Sequence, residues 1–235
     1  IEAHSFPTRR SSDLKVIQDD AFIEKMVAKY PKLLATLPSK ESGVRYRLEG
    51  YLFPATYGYG KDSKMEDLVD QMLAAMDQNL SAYYDTMEAK NIDVNEALTL
   101  ASLIEKEGAT DKDRKDIASV FYNRLNQDMP LQSNIAILYA QGQLGKKTTL
   151  KEDATIDTNI DSPYNIYKNT GLMPGPVDSP GLSAIEAAVN PSKTDYLYFV
   201  ANVETGEVYF AKTFEEHTKN VEEHVNSKLT ESSSN

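Results

Sequence analysis

The feature that most constrains this fold is a series of helix and strand breakers between Gln127 and Pro180. The breakers are Pro130, Gly142, Gly145, Pro163, Gly171, Pro174, Gly175, Pro176 and Pro180. Proline lacks a backbone N–H and glycine is conformationally permissive, so no long helix or strand is expected to pass through this stretch. Loops of this length within a compact domain are usually functional, which makes the stretch a candidate site.

Helical periodicity dominates the chain outside this stretch. Apolar residues that recur every three or four positions predict amphipathic helices. Ser63 and Glu66 have the spacing of a capping box, followed by an inner stripe of Leu68, Met72, Met76 and Leu80. The predicted helices are one or two short ones within Lys15–Leu37, one that opens at Ser63, Glu96–Glu107, Asp113–Asn126, Ser183–Val189, and a last one capped by Thr213 and Glu216 that runs to about Leu229.

Extended structure is predicted in two regions. Tyr46–Tyr57 is rich in aromatic and aliphatic residues, which favours a strand. Tyr196–Asn202 and Glu207–Lys212 flank the turn pair Thr205-Gly206, which indicates a β-hairpin. The predicted fold class is therefore α+β, mainly helical, with a small antiparallel sheet and long Pro/Gly-rich loops.

Composition excludes several classes of function. The formal net charge of -11 disfavours nucleic acid and anionic membrane surfaces as partners. The absence of cysteine excludes disulfides, thiolate catalysis and cysteine-ligated zinc. The longest apolar runs, Leu98–Ile104 and Tyr196–Val200, are far shorter than the roughly 20 residues of a membrane-spanning helix.

Several common catalytic motifs are also missing from the sequence. There is no glycine-rich phosphate loop, no G-x-S-x-G and no H-E-x-x-H, which excludes the nucleotide-binding, serine-hydrolase and zincin interpretations. His217 and His224 lie seven residues apart without a third ligand, so we expect packing or surface roles for them. No metal and no cofactor are predicted.

Two glutamates, Glu105 and Glu107, lie at the end of the helix Glu96–Glu107. At about 100° per residue, Glu107 lies about 70° from the centre of the apolar face, and Glu105 about 90° away on the other side. A carboxyl group at the edge of a buried stripe is expected to be partly desolvated, which raises its pKa and suits a general acid. The helix macrodipole disfavours a negative charge at the C-terminus of the helix, so it also raises the pKa of a carboxyl group there. Periodicity does not separate the two glutamates, and taken alone it favours both as solvated residues at the end of an amphipathic helix.

A second candidate region is Asp161–Pro176, where Tyr164, Asn165 and Tyr167 lie among helix breakers. Tyrosine and asparagine on a loop can bind sugars through ring stacking and hydrogen bonds. Packing of the loop explains the same residues equally well. Residue chemistry alone therefore leads to an α+β enzyme or binding domain with a loop-rich site.

At these same positions the sequence resembles the YceG-like family of endolytic murein transglycosylases. The matching stretches follow the family's order and cover nearly everything from about Arg45 to Leu229. They are EGYLFPATY (Glu49–Tyr57), TLASLIEKE (Thr99–Glu107), ASVFYNRL (Ala118–Leu125), MPLQSN (Met129–Asn134), YNIYKNTGLMPGP (Tyr164–Pro176), SAIEAAVNP (Ser183–Pro191) and YLYFVAN (Tyr196–Asn202). Many members have Pro-Thr where this chain has Ile135-Ala136, which leaves the shape of that loop open.

The resemblance implies a single catalytic residue, Glu107, the second glutamate of the E-K-E element. It implies cleavage of the bond between N-acetylmuramic acid and N-acetylglucosamine to give 1,6-anhydromuramic ends, without a cofactor. The residues implied for substrate binding are Tyr164, Asn165, Tyr167, Gln132, Ser133 and Glu49. Two alternatives stay open: a peptidoglycan hydrolase with Glu49 or Asp161 as a second carboxylate, and a non-catalytic cell-wall-binding scaffold.

The resemblance also implies a domain organisation. We expect a non-native or disordered leader at 1–14, a remnant of a LysM-like subdomain or connector at 15–44, a catalytic domain at 45–229 and a polar tail at 230–235. The family's N-terminal membrane helix is absent here, so membrane contact is expected only through that segment. The implied location is the extracytoplasmic face of the bacterial membrane, and the implied partners are peptidoglycan strands and the cell-wall elongation machinery.

Overall fold

The computed structural model describes residues 16–58, 60, 62–145, 155–202 and 205–226. The predicted leader at 1–14 and tail at 230–235 lie outside these ranges. In the described residues there are eight α-helices and one two-stranded antiparallel sheet, which confirms the α+β class. The chain divides into two compact units, Ile1–Ser102 with Pro174–Val189 and Leu103–Met173 with Asn190–Asn235. The expected boundary between residues 44 and 45 falls inside the first unit and stays a prediction.

The helices are α1 (Asp20–Lys29), α2 (Met65–Leu80), α3 (Tyr84–Lys90), α4 (Val94–Glu107), α5 (Asp111–Leu125), α6 (Asn134–Ala140), α7 (Leu182–Val189) and α8 (Phe214–Val221). The strands are β1 (Tyr198–Ala201) and β2 (Val208–Ala211). A 3-10 turn spans Lys40–Ser42, and a π-helical turn at Glu222–Asn226 follows α8. The predicted helices are thus confirmed to within about two residues at most ends, as hydrogen-bond assignment of helix ends allows.

For helix α2, the predicted buried face is correct and the predicted N-terminal cap is not. The predicted inner stripe is buried throughout, from Leu68 to Leu80. The predicted capping box is wrong, because Lys64 is the N-cap residue and makes no side-chain capping bond. The Ser63 hydroxyl instead accepts a hydrogen bond from the Gly60 amide at 3.0 Å, which closes the preceding turn.

The strand predicted at Tyr46–Tyr57 is also wrong, because the chain turns there. The amides of Glu49 and Tyr51 donate to the carbonyls of Tyr46 and Leu48, and Gly50 between them has φ of +81°. The Cβ of any other residue at Gly50 would lie 2.3 Å from Pro176. The aromatic and aliphatic residues here are buried or half-buried without pairing in a sheet, so composition indicated burial and not a strand.

The second unit is organised around α5. Thr110 caps this helix with a full capping box, in which Thr110 and Asp113 exchange hydrogen bonds. The buried face of α5 includes Ile117, Val120 and Phe121. The Phe121 ring meets the Phe199 ring of β1 edge to face, with centroids 5.7 Å apart, so that α5 supports the hairpin.

The β-hairpin forms where it was predicted, although with shorter strands. Tyr198 pairs with Ala211 and Ala201 with Val208 in an antiparallel register. Helix α8 follows directly, and the predicted capping box is confirmed because the Thr213 hydroxyl accepts from the Glu216 amide and the Glu216 carboxylate accepts from the Thr213 amide. The end predicted near Leu229 lies outside the described residues.

Candidate active site

A cavity of about 640 Å³ lies within the second unit. Its walls come from the end of α4, the loop before α6, the loop residue Tyr167, strand β1 and helix α8. The described residues that line it include the charged side chains of Lys106, Glu107 and Arg124 and the imidazole of His217. Residues far apart in sequence thus meet in one concave surface, as in most ligand sites.

Glu107 is the last residue of α4, and it enters the cavity wall half-buried. The amide of Gly108 donates to the Ile104 carbonyl at 3.0 Å and closes the helix. A side chain at position 108 would place its Cβ 2.7 Å from Cγ of Arg114, so only glycine fits between α4 and α5. The glycine lets the chain leave the helix directly behind the carboxyl group.

The Glu107 carboxyl group is held by Ser133. The Ser133 hydroxyl donates to Oε1 of Glu107 at 2.6 Å. The same hydroxyl accepts from the amide of Ile135 at 3.2 Å, because Ser133 is the N-cap residue of α6. With its acceptor site used by that amide, the buried hydroxyl has its proton directed at Glu107. Ser133, the N-cap residue of α6, therefore fixes the orientation of the Glu107 carboxyl group.

Glu105 differs from Glu107 in both position and partner. It does not line the cavity. Its Oε1 lies 3.5 Å from Nη2 of Arg114, a residue that also approaches Asp111 at 3.5 Å. The two glutamates therefore have different surroundings: Glu107 faces a cavity and a hydroxyl, whereas Glu105 pairs with Arg114.

Tyr167 lies on the cavity wall near the same helix start. Its hydroxyl donates to Oδ1 of Asn134 at 2.6 Å, and Asn134 directly follows Ser133. Its amide donates to Oδ1 of Asn165 at 3.1 Å. The loop of Tyr167 and the loop of Ser133 are joined further by the Gln132 amide, which donates to the Ile166 carbonyl at 3.0 Å.

The other predicted binding residues fall into two groups. Gln132 lines the cavity with Ser133 and Tyr167. Asn165 is buried and does not line the cavity, and its Nδ2 donates to the carbonyls of Thr158 and Ile160. Tyr164 is buried against Tyr139, with ring centroids 4.8 Å apart. Glu49 is buried in the first unit and is not among the lining residues. Substrate contacts for Asn165, Tyr164 and Glu49 stay predictions.

Arg124 and His217 are lining residues that the sequence analysis did not assign to a binding site. Arg124 lies on α5, and its Nη1 donates to the carbonyls of Pro130 and Leu131 and to Oε1 of Gln132. Its guanidinium carbon lies 5.0 Å from the centre of the Tyr198 ring. Burial lowers the pKa of this guanidinium. The sequence pattern of α5 is that of an ordinary amphipathic helix, so it did not indicate that Arg124 lines a cavity.

His217 was expected to pack or to face solvent, and it does pack: its ring stacks on Tyr198, with centroids 5.4 Å apart. It also lines the cavity, which the spacing to His224 did not reveal. Burial lowers the pKa of His217, and the positive charge of Arg124 lowers it further. The imidazole is therefore neutral near pH 7.

Within the described ranges, no three His, Asp or Glu side chains lie together in a way that could hold a metal ion. No helix in that part of the chain combines the length and the apolar character that a membrane crossing requires.

Comparison with known proteins places this geometry in a family. The model of the YceG-like family matches residues 8–223. The chain belongs to the YceG-like family. A protein named endolytic murein transglycosylase from Streptococcus pneumoniae serotype 2 (strain D39) is 66% identical over 216 residues, which cover 92% of this chain and 39% of the relative. A protein of the same name from Bacillus subtilis (strain 168) is 43% identical over 213 residues, or 90% of this chain and 57% of the relative.

Family membership extends to the fold. The 2.6 Å crystal structure of a yceG-like protein from Listeria monocytogenes is 45% identical to this chain, with a TM-score of 0.79. The match covers 91% of this chain and 68% of that one. The chain spans about two fifths of the length of its pneumococcal relative.

Proposed function

We propose that this chain is the catalytic part of an endolytic peptidoglycan lytic transglycosylase, with Glu107 as acid and then base. The observation that carries the proposal is the placement of Glu107 on the wall of a cavity, with a hydroxyl donor 2.6 Å from its carboxyl oxygen. The names of the pneumococcal and Bacillus relatives support the same activity. The substrate is a peptidoglycan glycan strand.

In the first step, the protonated Glu107 donates its proton to the oxygen between N-acetylmuramic acid and N-acetylglucosamine. The bond from C1 of the muramic residue to that oxygen breaks, and C1 gains oxocarbenium character. The hydrogen bond from Ser133 stabilises the carboxylate that Glu107 becomes. Tyr167, whose hydroxyl donates to Asn134, lines the same cavity as Glu107 and orients the sugar.

In the second step, the Glu107 carboxylate takes the proton of the muramic C6 hydroxyl. The C6 oxygen then bonds to C1, which gives a 1,6-anhydro end and returns Glu107 to its protonated form. No water is consumed. Because the nucleophile is already attached to the substrate, proximity replaces a second catalytic carboxylate.

The cavity lining favours this mechanism over hydrolysis. Glycoside hydrolases use two carboxylates on either side of the bond. Among the described residues that line the cavity, Glu107 is the single carboxylate. Glu49 and Asp161, which were considered as a second carboxylate, are not among them.

Product analysis tests the proposal. Digestion of purified peptidoglycan should yield anhydro ends, which are lighter than reducing ends by one water. Glu107→Gln should bind glycan and release no new ends. Glu105→Gln is the matched control: it loses an ion pair with Arg114 outside the cavity, and it should keep most of the activity.

Other outcomes point to the alternatives. Reducing ends would indicate a hydrolase. Glycan binding by the wild type without any new ends would indicate a scaffold. Equal losses in Glu105→Gln and Glu107→Gln would contradict the assignment of the acid. The proposed location is the extracytoplasmic face of the membrane, where the substrate lies, together with the cell-wall elongation machinery.

A further inference from the structure

Arg124 is a buried cation that has no anionic partner in the described part of the chain. Its exposed fraction is 5%. No carboxylate of the described residues forms an ion pair with it. Burying a charge is costly unless it is paired, so an unpaired guanidinium inside a cavity wall calls for an explanation.

The hydrogen bonds of Arg124 leave one nitrogen unused. A guanidinium has five N–H donors. Nε donates to the Leu197 carbonyl at 2.6 Å, and Nη1 serves the three acceptors at Pro130, Leu131 and Gln132. Nη2 has no acceptor among the described residues, and it is not among their fully enclosed unpaired atoms. Since Arg124 lines the cavity, the two N–H donors of Nη2 remain for a ligand there.

His217 also lines the cavity. Its Nδ1 is buried without a hydrogen-bond partner in the described residues. The ring stacks on Tyr198, whose ring also lies beneath the Arg124 guanidinium. The neutral imidazole adds a polar group without adding charge, so Arg124 carries the positive charge at this place.

The charge of the described cavity lining is opposite in sign to that of the chain. Among the described residues of that lining, Lys106 and Arg124 are cations and Glu107 is the single carboxylate, whereas the whole chain has a net charge of -11. A cavity with a positive wall in an acidic protein favours an anionic group on the ligand. Arginine in particular matches the planar geometry of a carboxylate with two parallel hydrogen bonds.

We propose that Arg124, assisted by His217, forms a subsite for the carboxylate that the lactyl substituent of muramic acid carries. This inference rests on the proposed function, which supplies the glycan. In strands without peptides, the lactyl group itself supplies the carboxylate. In substituted strands the lactyl carboxyl is linked to the stem peptide, and the free carboxylates belong to that peptide. The subsite would make the cavity select muramic acid over plain N-acetylglucosamine polymers.

Binding measured separately from cleavage tests the subsite. The Glu107→Gln chain is titrated calorimetrically with four soluble oligosaccharides of equal length. These are peptide-free muramyl glycan, the same glycan with its lactyl carboxylates converted to methyl esters, stem-peptide-bearing glycan, and chitooligosaccharide. We expect peptide-free glycan to bind about 10- to 100-fold more tightly than its methyl ester, as for a lost charge-assisted hydrogen bond. The stem-peptide arm identifies which carboxylate is used.

A matched variant separates binding from structure. Arg124→Gln should remove the preference for the carboxylate form, so that the glycan and its methyl ester bind with equal affinity. Equal loss for both glycans would mean that Arg124 acts only as a backbone clamp, and would overturn the subsite. If Arg124→Gln does not fold, the ester comparison in the Arg124-containing chain decides: equal affinities there overturn the subsite as well.

A second readout keeps this proposal separate from the proposed function. N-acetylmuramic acid and its methyl ester are titrated into the wild-type chain while the imidazole signals of His217 are followed by NMR. The acid should shift these signals at lower concentration than the ester does. That result would stand even if the wild type released no anhydro ends, and equal responses to acid and ester would overturn the subsite even if cleavage were found.

Discussion

At the scale of single residues, Glu105 and Glu107 are distinguished by the groups that surround their carboxyl groups. Glu105 and Glu107 have nearly equal angular offsets on one helix, so periodicity could not choose between them. The choice comes from partners that are distant in sequence: Arg114 for Glu105 and Ser133 for Glu107. The family resemblance selected Glu107, and the cavity is consistent with that selection.

Ser133→Ala tests the contact that orients Glu107. The Ser133 hydroxyl stabilises the ionised carboxylate, so its removal favours the protonated form. We expect kcat to fall about tenfold, as for the loss of one hydrogen bond to a charged group. The alkaline limb of the pH–rate profile should move to higher pH, because the acid stays protonated longer.

Ser133 also caps α6, so the variant loses stability, by about 1 kcal/mol. Ser133→Thr keeps a hydroxyl and a capping group, and it should recover part of the rate and the original alkaline limb. A rate loss in Ser133→Ala with an unmoved pH profile would mean that the serine acts only through the cap.

At the scale of elements, local sequence predicted those helices whose signals are local. Helix α8 has a full capping box at Thr213 and was predicted, whereas α6 was missed because it is seven residues long and lies among breakers. A helix this short is stabilised by burial and not by its own propensity. The turns at 46–57 were mistaken for a strand for a related reason, since aromatic residues report burial in either structure.

Gly108→Ala tests the junction between α4 and α5. A Cβ at this position would lie 2.7 Å from Cγ of Arg114 and 3.1 Å from its backbone, so the two helices must move apart. We expect a loss of about 1–3 kcal/mol in the free energy of unfolding, measured by urea denaturation. Activity should fall further than stability explains, because Glu107 directly precedes the displaced residue.

Gly58→Ala is the matched control for this substitution, because a Cβ at Gly58 has no heavy atom within 4 Å. It should leave both the stability and the rate close to those of the parent. A neutral effect of Gly108→Ala would show that the junction between the helices is looser than the close approach indicates.

At the scale of the whole molecule, the cavity is the property that sequence patterns could least predict. Its wall joins Glu107, Ser133, Tyr167 and His217, which are separated by tens of residues and lie in different elements. Periodicity and turn signals predicted the fold class and composition gave the sign of the overall charge, but neither predicted that the described cavity lining has the opposite charge. Such a cavity has to be maintained by folding free energy, since it holds Arg124 buried without an ion-pair partner in the described residues.

This arrangement gives the stability of the molecule a dependence on pH that involves His217. Burial, and then the charge of Arg124, hold the pKa of His217 below its ordinary value in the folded chain. In the unfolded chain the imidazole titrates near its ordinary value of about 6.5. Below that pH the unfolded chain therefore binds more protons than the folded chain, so this contribution to stability is full above about pH 6.5 and is lost as the pH falls.

We therefore expect His217→Gln to reduce the difference in the free energy of unfolding between about pH 7.5 and about pH 5.5, measured by urea denaturation. The carboxylates of the chain contribute equally in parent and variant, so the difference between their two slopes isolates the histidine. Identical slopes would mean that the imidazole is protonated without cost beside Arg124. That result would contradict the half-buried position of His217, whose ring stacks on Tyr198 and whose Nδ1 is enclosed.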